Sequence, residues 1–431
     1  MHNLKRLAVL TAAAACLAVP AALAQGLPDT TAQRRQQRQL DSLTAVLRGV
    51  EARLDSLLRR PAAGDAPALS DLDALRAAAA AAVGAATDTS ERAIGRQAGG
   101  RSQNALNPEI SVTGDIRAAL LRPGPQTESF DAREFEIGLQ SALDPFSVAK
   151  VFLALEGGEI DIEEGYAFWS GLPGHFRLDI GKFRQQIGEL NRWHLHALPE
   201  GEYPLVLQRY LGEEGLAQTG LSLYWPLPFS GRLGTYEFTA QVTKGVNPEL
   251  FGNCGDRPSY LAHLSGFWQF SRSTYGQLSV SGLYGTGRDS VGEVVRSEQR
   301  IETRLGALAG RFTWRPPAEG TRREVTLRGE LFALRRRLDG TGPTRLGGYA
   351  SAQVRLGQRW IAGVRGDWVE SADPALTTHE WALTPTLTFW QSEFVYLRAQ
   401  LTHARDLAGA TSDRFGLQAV WAMGPHKHEL F

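Results

Sequence analysis

Charged side chains crowd two parts of this 431-residue sequence, and their spacing suggests what they could do. The first is the 32-residue stretch 185–216, preceded by Arg184. It carries Glu189, Arg192, Glu202, Arg209, Glu213 and Glu214 among Ile187, Leu190, Trp193, Leu195, Leu198, Tyr203, Leu205, Val206, Leu207, Tyr210 and Leu211. So apolar a stretch does not stand in water. Folded against an inner wall, it would turn its Arg and Glu side chains toward a passing solute, and rings of charge select ions by sign; the alternative is an external cap or a protruding hairpin. The second set recurs at alternate positions of short segments: Arg117, Arg177, Asp179, Arg328, Glu330, Arg365 and Asp367. Asp115, Glu134, Glu136, Asp161, Glu163, Arg355, Arg398 and Arg414 share that phase. Opposed walls of charge would give a transverse field, whereas a salt-bridge lattice would only stiffen the wall. Spacing alone leaves both open.

Other chemistry is weaker. His194 and His196, and His426 and His428, stand two apart and could offer imidazoles to Zn²⁺ together with a carboxylate. No further ligands accompany them in sequence, so neither a metal nor a cofactor is expected. The run Glu156, Glu159, Asp161, Glu163 and Glu164 reads as a solvated loop face. His263, His379 and His403 have no partnering nucleophile motif and there is no G-x-S-x-G, so an enzyme is not expected. Basic and acidic residues balance at 46 each, which excludes the cationic excess that nucleic acid demands.

The elements that position these residues follow from periodicity. Residues 1–24 read as a secretory signal peptide: Lys5 and Arg6, an apolar core from Leu7 to Val19, then Ala22-Leu23-Ala24. Cys254 is then the one remaining cysteine, so no internal disulfide forms. Residues 25–60 read as a periplasmic coiled-coil helix, with Leu40, Leu43, Leu47, Val50, Leu54 and Leu57 in a heptad seam, the alternative being an amphipathic helix lying on its own barrel. Pro61 and Pro67 end it, and 61–107 read as an Ala-rich helix and flexible linker. No mature stretch is apolar enough for a helical membrane span.

From 108 to 431 the period becomes two. Phe135, Ile137 and Leu139 alternate with Glu134, Glu136 and Gln140; Trp381, Leu383 and Leu387 alternate with Thr384, Thr386 and Thr388. This apolar-out, polar-in dyad identifies an all-β transmembrane barrel of about 16 antiparallel strands. They are expected near 110–120, 133–143, 146–156, 159–169, 175–184, 217–226, 233–244, 260–271, 275–285, 300–313, 323–334, 348–356, 359–369, 380–390, 394–404 and 413–423. Connections alternate between short turns and longer loops. That places the first strand's start, the short turns and the C-terminus on the periplasmic side of an outer membrane of Gram-negative type. Aromatics near strand ends, among them Tyr166, Phe168, Trp225, Trp314 and Trp421, are expected to form interfacial belts.

The run Leu178-Asp179-Ile180-Gly181-Lys182-Phe183-Arg184-Gln185-Gln186-Ile187-Gly188 resembles the strand-to-loop segment, of the V-G-K-F-K-P-P-F-G kind, found in phosphate-selective porins of the O and P type. The heptad-then-barrel layout is similar too. The resemblance implies a sixteen-stranded, trimeric diffusion channel. Its cationic ladder is not reproduced here, because the chain has only five Lys and the inward charges balance. The expected function is passive diffusion of small hydrophilic or ionic solutes past a lumen-folded constriction at 185–216. The partners are outer-membrane lipid and two further copies in a homotrimer. The alternative is a structural or interaction barrel without an open pore.

Overall fold

The computed structural model describes residues 108–123, 127–228, 234–252, 257–288, 290–291, 294–295, 300–373 and 376–424. The expected signal peptide, heptad helix and linker, together with His426, His428 and Phe431, lie outside them. The strands are β1 (Glu109–Arg122), β2 (Thr127–Asp144), β3 (Ser147–Glu156), β4 (Glu159–Leu172), β5 (Phe176–Arg184), β6 (Ala217–Pro226), β7 (Thr235–Lys244), β8 (Pro258–Ser271) and β9 (Thr274–Gly287). A two-stranded hairpin, β10 (Ser290–Val291) and β11 (Val294–Val295), follows. Then come β12 (Ile301–Trp314), β13 (Arg323–Leu338), β14 (Thr344–Leu356), β15 (Trp360–Glu370), β16 (His379–Trp390), β17 (Val395–Arg405) and β18 (Thr411–Met423).

Each strand pairs antiparallel with its neighbour, β9 pairs with β12 past the hairpin, and β18 pairs with β1. The result is a closed barrel of sixteen strands. Closure satisfies the backbone of every strand from within, which is what a lipid environment demands. Outward positions carry exposed apolar side chains such as Leu264, Val280, Leu308, Leu327, Leu331, Leu387, Leu401 and Leu417. A protein surrounded by water would not display so many. Aromatic pairs flank this band, Phe176 stacked on Trp225 at one end and Trp381 against His403 at the other.

Two expectations are corrected. First, strands run beyond their apolar stretches, because ladder pairing needs backbone and not hydrophobicity. β13 continues through Arg335, Arg336 and Arg337, paired to Arg304, Thr303 and Glu302. The connection 339–343 is therefore as short as a turn, and the longest connections between described barrel strands are 185–216, 245–257 and 288–300. Second, Tyr166 is not a belt residue. A register shift in β3–β4, between Phe152 and Leu153, turns it inward, where it is 7% exposed and edge-on to Phe183. The same shift buries Glu163 and Glu164, adjacent in sequence, together.

The core lies inside the cylinder. Ile187, Leu190, Leu198, Tyr203, Val206, Leu207, Tyr210 and Leu211 of the 185–216 segment are buried against wall residues Leu261, Leu283, Leu305, Phe332, Leu334 and Val369. Leu250 and Phe251, from the connection after β7, complete the cluster. The wall leaves room through glycine: a Cβ on Gly347 would stand 2.7 Å from Val206, and one on Gly285 would stand 2.5 Å from Phe251.

Candidate functional site: the interior segment and its two cavities

The segment takes its shape from local chemistry. Gly188, at φ +63°, turns the chain against Glu330; a Cβ there would sit 1.8 Å from that carboxylate. Short 3-10 turns follow at Leu190–Arg192 and Leu195–Ala197. Pro204 precedes helix α1 (Leu205–Leu211), and Gly212 at φ +108° ends it. Asn191 ties the two feet together. Its side-chain amide donates to the carbonyls of Gln185 (2.8 Å) and Leu216 (3.0 Å), and its Oδ1 accepts from the Leu216 N–H (2.7 Å). Asn191→Ala leaves the buried Leu216 N–H without its partner and takes one bond from each of the two carbonyls, which keep the N–H groups of Ile187 and Gln185. It is expected to cost about 1–3 kcal/mol, read as a lower midpoint in thermal unfolding of the refolded barrel.

Most of the charged residues singled out by sequence meet one another across the segment–wall boundary. Arg184 donates to Glu163 (2.6 Å), to the Tyr203 hydroxyl (3.0 Å) and to the Glu214 carbonyl (2.6 Å). Glu189 accepts from Arg311 (2.9 Å) and Arg328 (3.2 Å), and Arg328 also lies 5.2 Å over the Trp193 ring. Glu330 receives the N–H groups of Glu189 and Leu190, both at 3.0 Å, and the Tyr349 hydroxyl at 2.7 Å. Arg365 binds Asp367 (2.9 Å) and Glu200 (3.3 Å), and Asp367 accepts the Leu205 N–H. Arg209 forms a two-pronged pair with Glu380, each bond 2.9 Å. Arg117 and Arg414 converge on Glu202, and Arg117 also donates to the Gly201 carbonyl. Arg192 donates to Gln186 at 2.7 Å. Arg177 and Asp179 pair with each other at 2.7 Å, away from these clamps. The side chains of Glu213 and Glu214 are exposed.

Of the charges that face the remaining space, the sequence pointed to Arg328, Arg355, Arg398, Glu134, Asp161, Glu163 and Glu214 but not to Arg133, Arg311, Arg315, Glu324 or Glu393. Near the short turns lies a cavity of about 770 Å³. Arg311, Arg315, Arg328, Arg355 and Arg398 line it against Glu324 and Glu393, with Trp193 and His196–Pro199 of the segment as its inner face. Toward the long connections a second cavity of about 280 Å³ is lined by Arg133, Glu134, Glu156, Glu159, Asp161, Glu163 and Glu214. One cavity is thus basic and the other acidic. Around the segment's rim the cavities measure only about 20–30 Å³, room for about one or two waters.

Between the two lies a buried Glu–His group. His194 Nδ1 is 2.6 Å from Glu136 and 2.7 Å from Glu163, and its Nε2 is 3.0 Å from Glu164. Burial alone would push its pKa down, but the carboxylates of Glu136 and Glu163 outweigh it and hold the imidazole well above its usual value. Phe152 packs on its ring at 4.9 Å.

No family model matches the sequence. A curated protein of Aquifex aeolicus (strain VF5), described as uncharacterized, is 33% identical over 132 residues, 30% of this chain and 27% of the relative. The chain thus matches about a quarter of that relative's length. Among solved structures, OprB of Pseudomonas putida matches at a TM-score of 0.52 and 9% identity, over 74% of this chain and 95% of its own. OmpF of Salmonella typhi, in complex with daunomycin, matches at 0.49 and 8%, over 75% and 99%. At such identities the likeness to OprB is one of fold, and the fold is that of an outer-membrane β-barrel.

Proposed function

We propose that the chain is an outer-membrane diffusion channel for small hydrophilic or ionic solutes, with segment 185–216 as its constriction. The carrying observation is a charged interior crossed by a wall-anchored segment that leaves a cavity of about 770 Å³ on one side and about 280 Å³ on the other. Lipid covers the outward apolar band. The coiled-coil segment and the C-terminus lie in the periplasm, and the heptad seam joins copies into a homotrimer. Arg184, Arg209, Glu189 and Glu202 hold the constriction in place through their wall partners. Glu214 and the guanidinium groups of the basic cavity face the solute.

The two cavities give this reading a signature. Cations enrich beside the carboxylates and anions beside the guanidinium groups. A potential that is positive at the acidic end drives both species toward the middle and fills the pore. The opposite potential empties it. Current through a planar bilayer is expected to rectify, larger when the acidic end is positive. The asymmetry should fade at high salt, because the screening length falls from about 10 Å at 0.1 M to about 3 Å at 1 M. A symmetric current–voltage curve at low salt would sink the bipolar reading. No conductance at all from folded protein would favour a plugged interaction barrel, which the extensive pairing between segment and wall also suits.

A further inference from the structure

The Glu–His group has a part that the segment's anchoring does not use. Glu134 and Glu136 leave the same face of β2 and are 4% and 1% exposed. His196, 4% exposed, faces them from the 3-10 turn Leu195–Ala197. Its Nδ1 lies 3.9 Å from Glu134 Oε1 and 3.9 Å from Glu136 Oε2, beyond hydrogen-bond reach of either. One donor atom from each of the three lies within 4.8 Å of the others. Neither oxygen of Glu134 has a hydrogen-bond partner. A carboxyl group buried in that condition must either take up a proton or meet a cation. Arg133 is nearby, but its guanidinium donates to the Gly201 carbonyl at 2.9 Å and stands 3.5 Å from Asp115.

We propose that Glu134, Glu136 and His196 form a binding site for one divalent transition-metal cation of the Zn²⁺ type. An imidazole with two carboxylates suits such a metal better than Mg²⁺ or Ca²⁺, which prefer oxygen alone. Zinc holds nitrogen and oxygen near 2.1 Å, so its tetrahedral donor atoms stand roughly 3.4 Å apart. The observed 3.9 Å closes to that by small side-chain rotations. Access is open on both sides: Glu134 lines the acidic cavity, where Glu156, Glu159 and Asp161 gather cations, and His196 lines the basic one. Behind the site, Glu136 is shared with Glu163 and His194, whose contacts hold its carboxylate in place.

The test is zinc titration of the full-length refolded barrel by calorimetry, with metal content measured after desalting. Folding of every variant is verified by its heat-modified electrophoretic mobility. The wild type should take up one zinc per chain at this site, Glu134→Gln and His196→Gln should each lose it, and Glu159→Gln should keep it. X-ray absorption on the loaded wild type should show imidazole and carboxylate ligands without sulfur. No uptake by the wild type, or uptake unchanged in the Glu134→Gln/His196→Gln double variant, overturns the site. So does a sulfur ligand, which would point to Cys254. Uptake is read without current, so a conducting barrel that binds no zinc overturns this inference alone, and a silent barrel that binds it overturns only the channel.

Discussion

Replacing residues 187–214 by a short Gly/Ser bridge is expected to raise single-channel conductance several-fold. A sixteen-stranded barrel encloses an aqueous lumen when nothing fills it. Here Leu190, Leu198, Val206, Leu207, Tyr210 and Leu211, each at most 1% exposed, lie in the interior. The backbone bond from Gln185 N–H to the Leu216 carbonyl, 2.9 Å, marks the level at which the feet can be joined without disturbing β5 and β6. Deletion also exposes Leu261, Leu283, Leu305, Phe332 and Leu334 to water, so the shortened barrel should unfold at a lower temperature. Planar-bilayer recording of both proteins decides the matter. Equal conductance would mean that the segment does not set the resistance, and the constriction would have to be sought elsewhere.

Arg184→Met should loosen the segment more than any other single substitution of its charged residues. The side chain is 2% exposed and Glu163, its partner, 6%. Removing one member of a buried pair costs about 3–5 kcal/mol when the other charge is left alone; Glu163 keeps the His194 imidazole at 2.7 Å, so the loss falls at the low end of that range. Methionine keeps much of the bulk and none of the donors, so the Glu214 carbonyl loses its Arg184 bond as well and the Tyr203 hydroxyl keeps only its bond to the Trp193 carbonyl. The expected readouts are protease cleavage within 185–216 of an otherwise folded barrel and a noisier, larger single-channel current. Arg209→Ala is the matched control. Its side chain is 43% exposed, so truncating it lets water reach Glu380, itself 7% exposed, and the cost should stay below that of Arg184→Met. If the two variants behave alike, burial is not what makes the Arg184 pair matter.

The barrel was legible because period-two alternation states both strand and face. Leu327 and Leu331 point out, and Arg328 and Glu330 point in, as their parity requires. The interior segment was legible for the opposite reason: too many apolar residues where strand periodicity stops. Partnership was not legible. Glu330 looked like a wall charge open to solute, yet it accepts two backbone N–H groups of the segment, 140 and 141 residues away in sequence. Nothing local announces such a bond. The Glu–His group was hidden by the register shift in β3–β4. Strict alternation sends only one of Glu163 and Glu164 inward, so the sequence showed a solvated acidic run where the fold places a buried group. His194 and His196 stood without partners nearby in sequence because the carboxylates they face come from β2 and β4.

The anchoring of the segment also dictates an order of assembly. On one flank it is bonded to residues already synthesised when it emerges: Glu163 and Glu164 meet Arg184 and His194. On the other flank Tyr396 donates to the His196 carbonyl and Arg398 to the Leu198 carbonyl, each across 200 residues of chain. Contacts that distant form late, because closing them carries the largest entropic cost. The growing sheet must therefore carry a half-docked, apolar strip on its concave face until β13–β18 arrive. Such a strip is sticky in water and calls for an escort or a sheltered insertion site. The strands that seal the cylinder are the same ones that finish seating its contents, so ring closure and interior packing complete in one step.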